Sequence, residues 1–197
     1  MIDSPYKNHP EEKWLEITKQ LIAEFPLSKE DIVKVVSDSW NDLYTSTIGS
    51  SGLVIGKNIF LPAQATGVIL ERIIGSALQR LDSKIWVGGK EKIHKDIVNL
   101  KNDRFSFEIK TSSSANGVYG NRSTGYRSDN SKKIRSGYYL VINYQLPTET
   151  LPEKKIRKIR FGWIDDDDWV GQKESSGQQA SISSHLAKLK LISLLDN

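Results

Sequence analysis

Apolar residues recur at helical spacing through the first eighty positions. Trp14, Ile17, Leu21 and Phe25 share a face behind Pro10-Glu11-Glu12, a proline-led acidic first turn, and Pro26 ends that helix. A second helix starts at Ser28, with Asp31 three residues on as in a capping box, and carries Ile32, Val35, Val36, Trp40 and Leu43 inward until Gly49-Ser50-Ser51-Gly52 breaks it. The spacing predicts a third helix over 63–81, with Val68, Leu70, Ile73, Ile74, Ala77, Leu78 and Leu81 on one broad face and Glu71 as its one carboxylate.

From Lys84 the pattern shortens to β-rich runs between turn residues: Ile85-Trp86-Val87, Asp96-Ile97-Val98, Phe105 to Ile109, Tyr138 to Tyr144 and Ile156 to Ile164. These predict about five strands. Between the third and fourth lies Ser112 to Ser136, rich in Ser, Gly, Asn and basic residues, which reads as a long functional loop. Ile182, Leu186, Leu189, Ile192 and Leu195 return to helical spacing and predict a C-terminal helix.

The 197 residues fit one domain, with a helical part over 1–48 and a core over 63–195. No apolar run reaches the ~18 residues a membrane span needs, and the start lacks the apolar stretch of a signal peptide, so a cytoplasmic protein is expected. Zero cysteines exclude disulfides, thiolate zinc sites and a cysteine nucleophile. The three scattered histidines argue against a histidine metal site, so any metal must rest on oxygen ligands. Charge is uneven. Arg122, Arg127, Lys132, Lys133 and Arg135 face only Asp129 in the loop, a net +4 that equals the excess of the whole chain, and 153–160 carries another +4. Such segments suit a polyanion, though they also read as two solvated surface stretches.

The chemistry centres on 95–110. Its pattern is a hairpin turning near Asn102-Asp103, in which strand alternation puts Glu108 and Lys110 on one face, with Phe105, Phe107 and Ile109 on the other. A three-residue turn, Lys101-Asn102-Asp103, pairs Leu100 with Arg104 and sets Asp96 opposite Glu108; a two- or four-residue turn sends Asp96 to the other face. Two neighbouring carboxylates repel, and Mg²⁺ is the usual remedy. Asp96 and Glu108 are thus candidate metal ligands, and Lys110 a candidate for positioning or deprotonating a water and for stabilising developing charge. The acid-x-Lys triplet also occurs at Glu11, Asp82 and Glu153, but Glu108 alone lies in a predicted strand with an Asp on the preceding one. The alternative is a surface hairpin with an ordinary salt bridge.

Asp96, Glu108 and Lys110, with eleven residues between the two acids, resemble the active site of the PD-(D/E)XK nuclease superfamily. The runs Phe107 to Ser114, Gly120-Asn121-Arg122-Ser123 and Arg160 to Asp165 resemble type II restriction endonucleases of the ScaI-like family, over roughly residues 40–195. The resemblance implies an α/β fold with a mixed sheet flanked by helices and Mg²⁺-dependent cleavage of both strands of double-stranded DNA at a palindromic site. It also implies a homodimer and a partner methyltransferase. Glu71 matches the extra acidic residue many such nucleases carry near the metal. Lys95 stands where the superfamily name has Pro, and the helix expected between the third and fourth core strands is not legible. Ser112, Ser113, Asn121, Arg122, Arg127, Lys132, Lys133 and Arg135 are candidate DNA contacts, with Asn116, Asn121 and Asn130 suited to adenine and Tyr119 and Tyr126 to stacking or sugar contact. The remaining features read more plainly. Asp165 to Asp168 is a solvated turn or a metal site, Gly88-Gly89 a turn, Trp14, Trp40 and Trp86 core, and His94 a neighbour of phosphate. The rival functions are a repair or junction-resolving nuclease, and a DNA-binding protein without catalysis.

Overall fold

The computed structural model describes residues 3–91, 93–121, 125, 135–173 and 178–197. A 3-10 turn at Glu11–Lys13 leads into α1 (Trp14–Ala23) and α2 (Lys29–Thr45), then β1 (Thr47–Ile48), β2 (Leu53–Val54) and α3 (Ala63–Leu81). There follow β3 (Trp86–Gly88), β4 (Ile97–Asn99), β5 (Phe107–Ser112), β6 (Tyr119–Asn121), β7 (Gly137–Gln145) and β8 (Lys155–Ile164). The chain closes with β9 (Val170–Gly171), β10 (Gln179–Ser181), α4 (Ser184–Lys190) and β11 (Leu191–Asp196).

Local chemistry sets several boundaries. The Ser28 hydroxyl accepts from the Asp31 amide at 3.0 Å while the Asp31 carboxylate accepts from the Ser28 amide, the reciprocal cap expected for α2. That helix ends at Thr45, ahead of the glycines. Gly49-Ser50-Ser51-Gly52 is instead the turn of the β1–β2 hairpin, with both glycines at positive φ, +70° and +63°, where a side chain would be strained. Helix α3 has the expected bounds but a narrower apolar face: Leu70, Ile74 and Leu78 are buried, whereas Val68 and Leu81 are more than half exposed.

The main sheet runs β11-β8-β7-β5-β4-β3, with β5 and β7 parallel and the other neighbours antiparallel. It is a mixed sheet of six strands among the described residues, not five. Alternation along β7 sends Tyr138, Leu140, Ile142 and Tyr144 toward α1–α3, where Phe25 lies among the rings of Trp86, Phe105, Phe107, Tyr138 and Phe161. Tyr139 and Val141 point the other way, into a second core with Val118, Ile164, Trp169, Ala180, Ile182, Ala187 and Leu191. A small antiparallel sheet, β6-β10-β9, belongs to this second layer. No helix among the described residues is long and apolar enough to cross a membrane.

Two expectations fail near the C-terminus. The helix predicted over 182–195 is only α4, after which Leu191–Asp196 turns to pair with β8 as an edge strand. The unpaired side of β8 offers backbone hydrogen bonds that local spacing does not reveal. The Asp165–Asp168 run is only partly a solvated turn: Asp167 is exposed, but the two ends of the run are held inside. Asp165 and Asp168 converge on Lys190, only 2 % exposed, at 2.7–2.8 Å. Asp165 also accepts from Ser4 and the Trp163 indole, and the Lys190 ammonium lies 4.4 Å and 4.7 Å from the ring centres of Tyr6 and Trp14. These acids are committed to an internal cation.

Candidate active site

The hairpin that carries the acids is closed by side chains. Asn99 Oδ1 accepts from the amides of Lys101 and Asn102, while Ser106 Oγ accepts from the Asn99 amide and donates to Asp103. A 3-10 turn at Asp103–Phe105 fills the bend, so the expected Leu100–Arg104 pair does not form within a strand. The register is nevertheless the expected one. Ile97 faces Phe107, which places Asp96 opposite Glu108 one step along the ladder.

Asp96, Glu108 and Lys110 meet. Lys110 Nζ lies 3.1 Å from Glu108 Oε2 and 3.9 Å from Asp96 Oδ2, and Asp96 Oδ2 accepts from the Ile109 amide at 2.8 Å. Glu108 is 4 % exposed and the Asp96 and Lys110 side chains about a fifth, because the second core covers this face of the sheet. This is a buried cluster, not the open sheet surface the alternation suggested. Burial raises the Asp96 carboxyl to about 7, against the pull of Lys110 and with the repulsion of Glu108 and Glu71. For Lys110, burial opposes the charge but the three carboxylates outweigh it and raise its pKa. Glu71 therefore belongs to the same electrostatic cluster. Helix α3 approaches β5 closely one turn before it: a Cβ on Gly67 would come within 2.3 Å of the Thr111 hydroxyl.

Two cavities flank the cluster and share Glu71. The larger, about 580 Å³, is lined by Lys110, Ser112, Ser113, Asn121 and Gln179 among others. The smaller, about 230 Å³, reaches Asp96, Arg72, Lys90, His94 and Lys95. Oxygen donors dominate the meeting point. Among the described residues no three Asp, Glu or His side chains form a ready-made metal cage. Mg²⁺ does not require one, since it is commonly held by one or two carboxylates together with waters and substrate phosphates. The Asp96 and Glu108 carboxylates fit that chemistry.

The other candidates separate. Ser112, Ser113 and Asn121 line the larger cavity, and Ser112 Oγ donates to Ser114 Oγ. Arg122, Arg127, Lys132 and Lys133, with Tyr126 and Asn130, lie outside the described residues. Arg135 is mostly buried with its guanidinium 3.5 Å from Asp166. Within the basic segment 153–160, Lys154 and Lys155 are exposed, whereas Arg157, Lys158 and Arg160 bond to the protein itself. Arg160 donates to the Asn116 carbonyl and to Asn143 Oδ1, both at 2.8 Å, Lys158 donates to Asn116 Oδ1, and Arg157 to Gln145 and the Ser113 carbonyl. Asn143 in turn donates to the Ser114 and Gly117 carbonyls. This scaffold fixes the chain leaving β5, so Arg160→Ala is expected to cost about 1.5–3 kcal/mol in urea unfolding and to speed exchange of the Gly117 amide. An unchanged Gly117 amide would remove that role.

Charge counting missed Arg160, though its place in a β-run with Ile159 and Phe161 marked a possible inward face. It also missed Lys95 and Tyr139. Lys95 Nζ donates to the Ser136 carbonyl at 3.1 Å, and the ammoniums of Lys95 and Lys110 lie 5.4 Å and 5.8 Å from the Tyr139 ring centre. Nothing local in the sequence signals this.

Residues 4–195 match the model of a family described as ScaI restriction endonuclease. The chain is 36 % identical over 196 residues to a protein named type II restriction enzyme ScaI, from Streptomyces caespitosus, covering 98 % of this chain and 85 % of that one. No solved structure matches it significantly.

Proposed function

We infer that this chain, which belongs to the ScaI restriction endonuclease family, is a type II restriction endonuclease, a site-specific deoxyribonuclease acting on double-stranded DNA. The observation that carries the catalytic assignment is the convergence of Asp96, Glu108 and Lys110 in one buried cluster beside Glu71. Such a cluster on β5 of a mixed sheet supports the PD-(D/E)XK core, with residues 1–197 as a single nuclease domain in the cytoplasm.

In this reading Asp96 and Glu108 hold Mg²⁺ and Glu71 adds negative charge at the rim. When bound, Mg²⁺ acidifies water and offsets charge building on the scissile phosphate. Lys110 is kept protonated by the carboxylates around it, so it serves as a cation and hydrogen-bond donor, orienting the attacking water and stabilising the phosphate oxygens. Water oxygen bonds to phosphorus as the phosphorus–oxygen bond to the leaving sugar breaks, the water's proton passing to bulk solvent and the departing sugar oxygen taking one from it. Ser112, Ser113 and Asn121, with Arg122, Arg127, Lys132, Lys133 and Arg135, are proposed to contact the duplex. Each chain carries one such cluster, so cutting both strands calls for a homodimer on a palindromic site. A methyltransferase acting on the same site would protect the host DNA.

Phage DNA incubated with the purified protein is expected to give discrete fragments in Mg²⁺ and none in EDTA. Intact DNA in both, with tight duplex binding, would instead identify a binding protein.

The raised Asp96 carboxyl has a defined pH signature. In metal-free protein its folded value, about 7, exceeds the ordinary 3.8, so the folded state holds a proton the unfolded chain releases, and stability from this group falls as pH rises through that window. Mg²⁺ needs the ionised form, so calorimetric titration is expected to show tighter binding at about pH 8 than at about pH 6, with proton release near neutrality. Affinity independent of pH would mean that Asp96 is already ionised in the metal-free protein and would remove this pH signature.

A further inference from the structure

The small sheet beside the cluster has a chemistry of its own. In β6 and β10, Gly120 and Ala180 are paired and buried, and Ala180 packs into the core with Tyr139 and Val141. The alternate positions, Asn121 and its direct cross-strand partner Gln179, are exposed and line the 580 Å³ cavity that also contains Lys110 and Glu71. Directly opposed residues bring their Cβ atoms to about 5 Å, so the two carboxamides form one composite surface. Neither carboxamide has a hydrogen-bond partner among the described residues. Tyr119 and Ser181, the next pair, are also uncharged.

The paired carboxamides lack the cations that dominate phosphate binding and carry the paired donor and acceptor that base edges match. A carboxamide presents a donor and an acceptor side by side, the complement of the adenine N7 and N6 edge, and the major groove is wide enough for a two-stranded ribbon. We propose that the β6–β10 ribbon enters the major groove and that the paired carboxamides of Asn121 and Gln179 read an adenine of an A·T pair. This rests on the nuclease reading, since the ribbon's cavity is continuous with Lys110. It goes beyond it in assigning base discrimination to β10.

The test is selection from a randomised duplex pool by the Glu108→Gln protein, with and without Gln179→Ala or Asn121→Ala, sequencing what is retained. The Glu108→Gln protein is expected to prefer A·T at one position of each half-site by about 5- to 150-fold, and either ribbon substitution to bring that preference close to parity while other positions keep theirs. Replacing the selected adenine by 7-deazaadenine should weaken binding of the intact ribbon and leave Gln179→Ala indifferent. An unchanged base preference in both ribbon variants, a uniform loss at every position, or a selected site without A·T would overturn the proposal. Because selection reads binding, the nuclease reading fails separately, by continued cleavage with Glu108→Gln.

Discussion

Replacing Glu108 by Gln leaves a folded protein that binds duplex DNA and cuts it about 10²–10⁴-fold more slowly in Mg²⁺. The substitution keeps the shape of a side chain that is 4 % exposed and leaves an amide oxygen for Lys110, 3.1 Å away in the native protein. It removes the negative charge that would hold the metal and that raises the Lys110 pKa. Lys110→Met reaches the same loss by another route, and costs stability as well, because it strands two buried carboxylates against each other. The pair of variants separates chemistry from folding: circular dichroism and duplex binding report the first intact, denaturant titration reports the second weakened. A Glu108→Gln protein cutting at more than about a tenth of the native rate would remove this cluster from the reaction.

The largest loss of stability is expected at Lys190→Ala. Removing one partner of a buried ion pair costs about 3–5 kcal/mol, because Asp165 and Asp168 remain in place without their cation. For a chain of this size that corresponds to a fall in Tm of about 6–20 °C. Lys190→Met combined with Asp168→Asn should recover part of it, as two uncharged groups replace an unmatched charge. A shift below about 1 kcal/mol for the single variant would mean the acids find other partners.

Much of the helical half is legible in the sequence because its signals are local. Ser28 and Asp31 cap α2, and α3 begins and ends where its apolar spacing does. The decisive pairing of Asp96 with Glu108 was also legible, since it follows from counting along a hairpin, although the bend is made by Asn99 and Ser106 and not by a three-residue turn. What escaped detection depends on distant partners. Leu191-Ile192-Ser193-Leu194-Leu195 is a short apolar run that serves a helix or a strand equally well, and only the open edge of β8 decides for β11. The β6–β10 ribbon buries glycine and alanine, residues too small to register as an apolar stripe. Arg160 reads as surface charge and Lys190 passes unmarked, because nothing beside them in sequence announces Asn143 or Asp168.

The placement of α1 has a consequence in time. Thr18 donates to the Leu189 carbonyl, and Phe25 closes onto rings that extend from Trp86 to Phe161. None of these partners has been synthesised when α1 emerges, and a ten-residue helix is marginal alone in water. Leu21, Ile22 and Phe25 must therefore wait uncovered until a contact spanning most of the chain can form, which is the slow kind of step in folding. The apolar face of α1 is covered by strands made much later, so pulse-labelled amide exchange should find α1 protected after β7 and β8. How long the half-built protein stays sticky is therefore set first by the time needed to synthesise β7, β8 and α4, and only then by that docking.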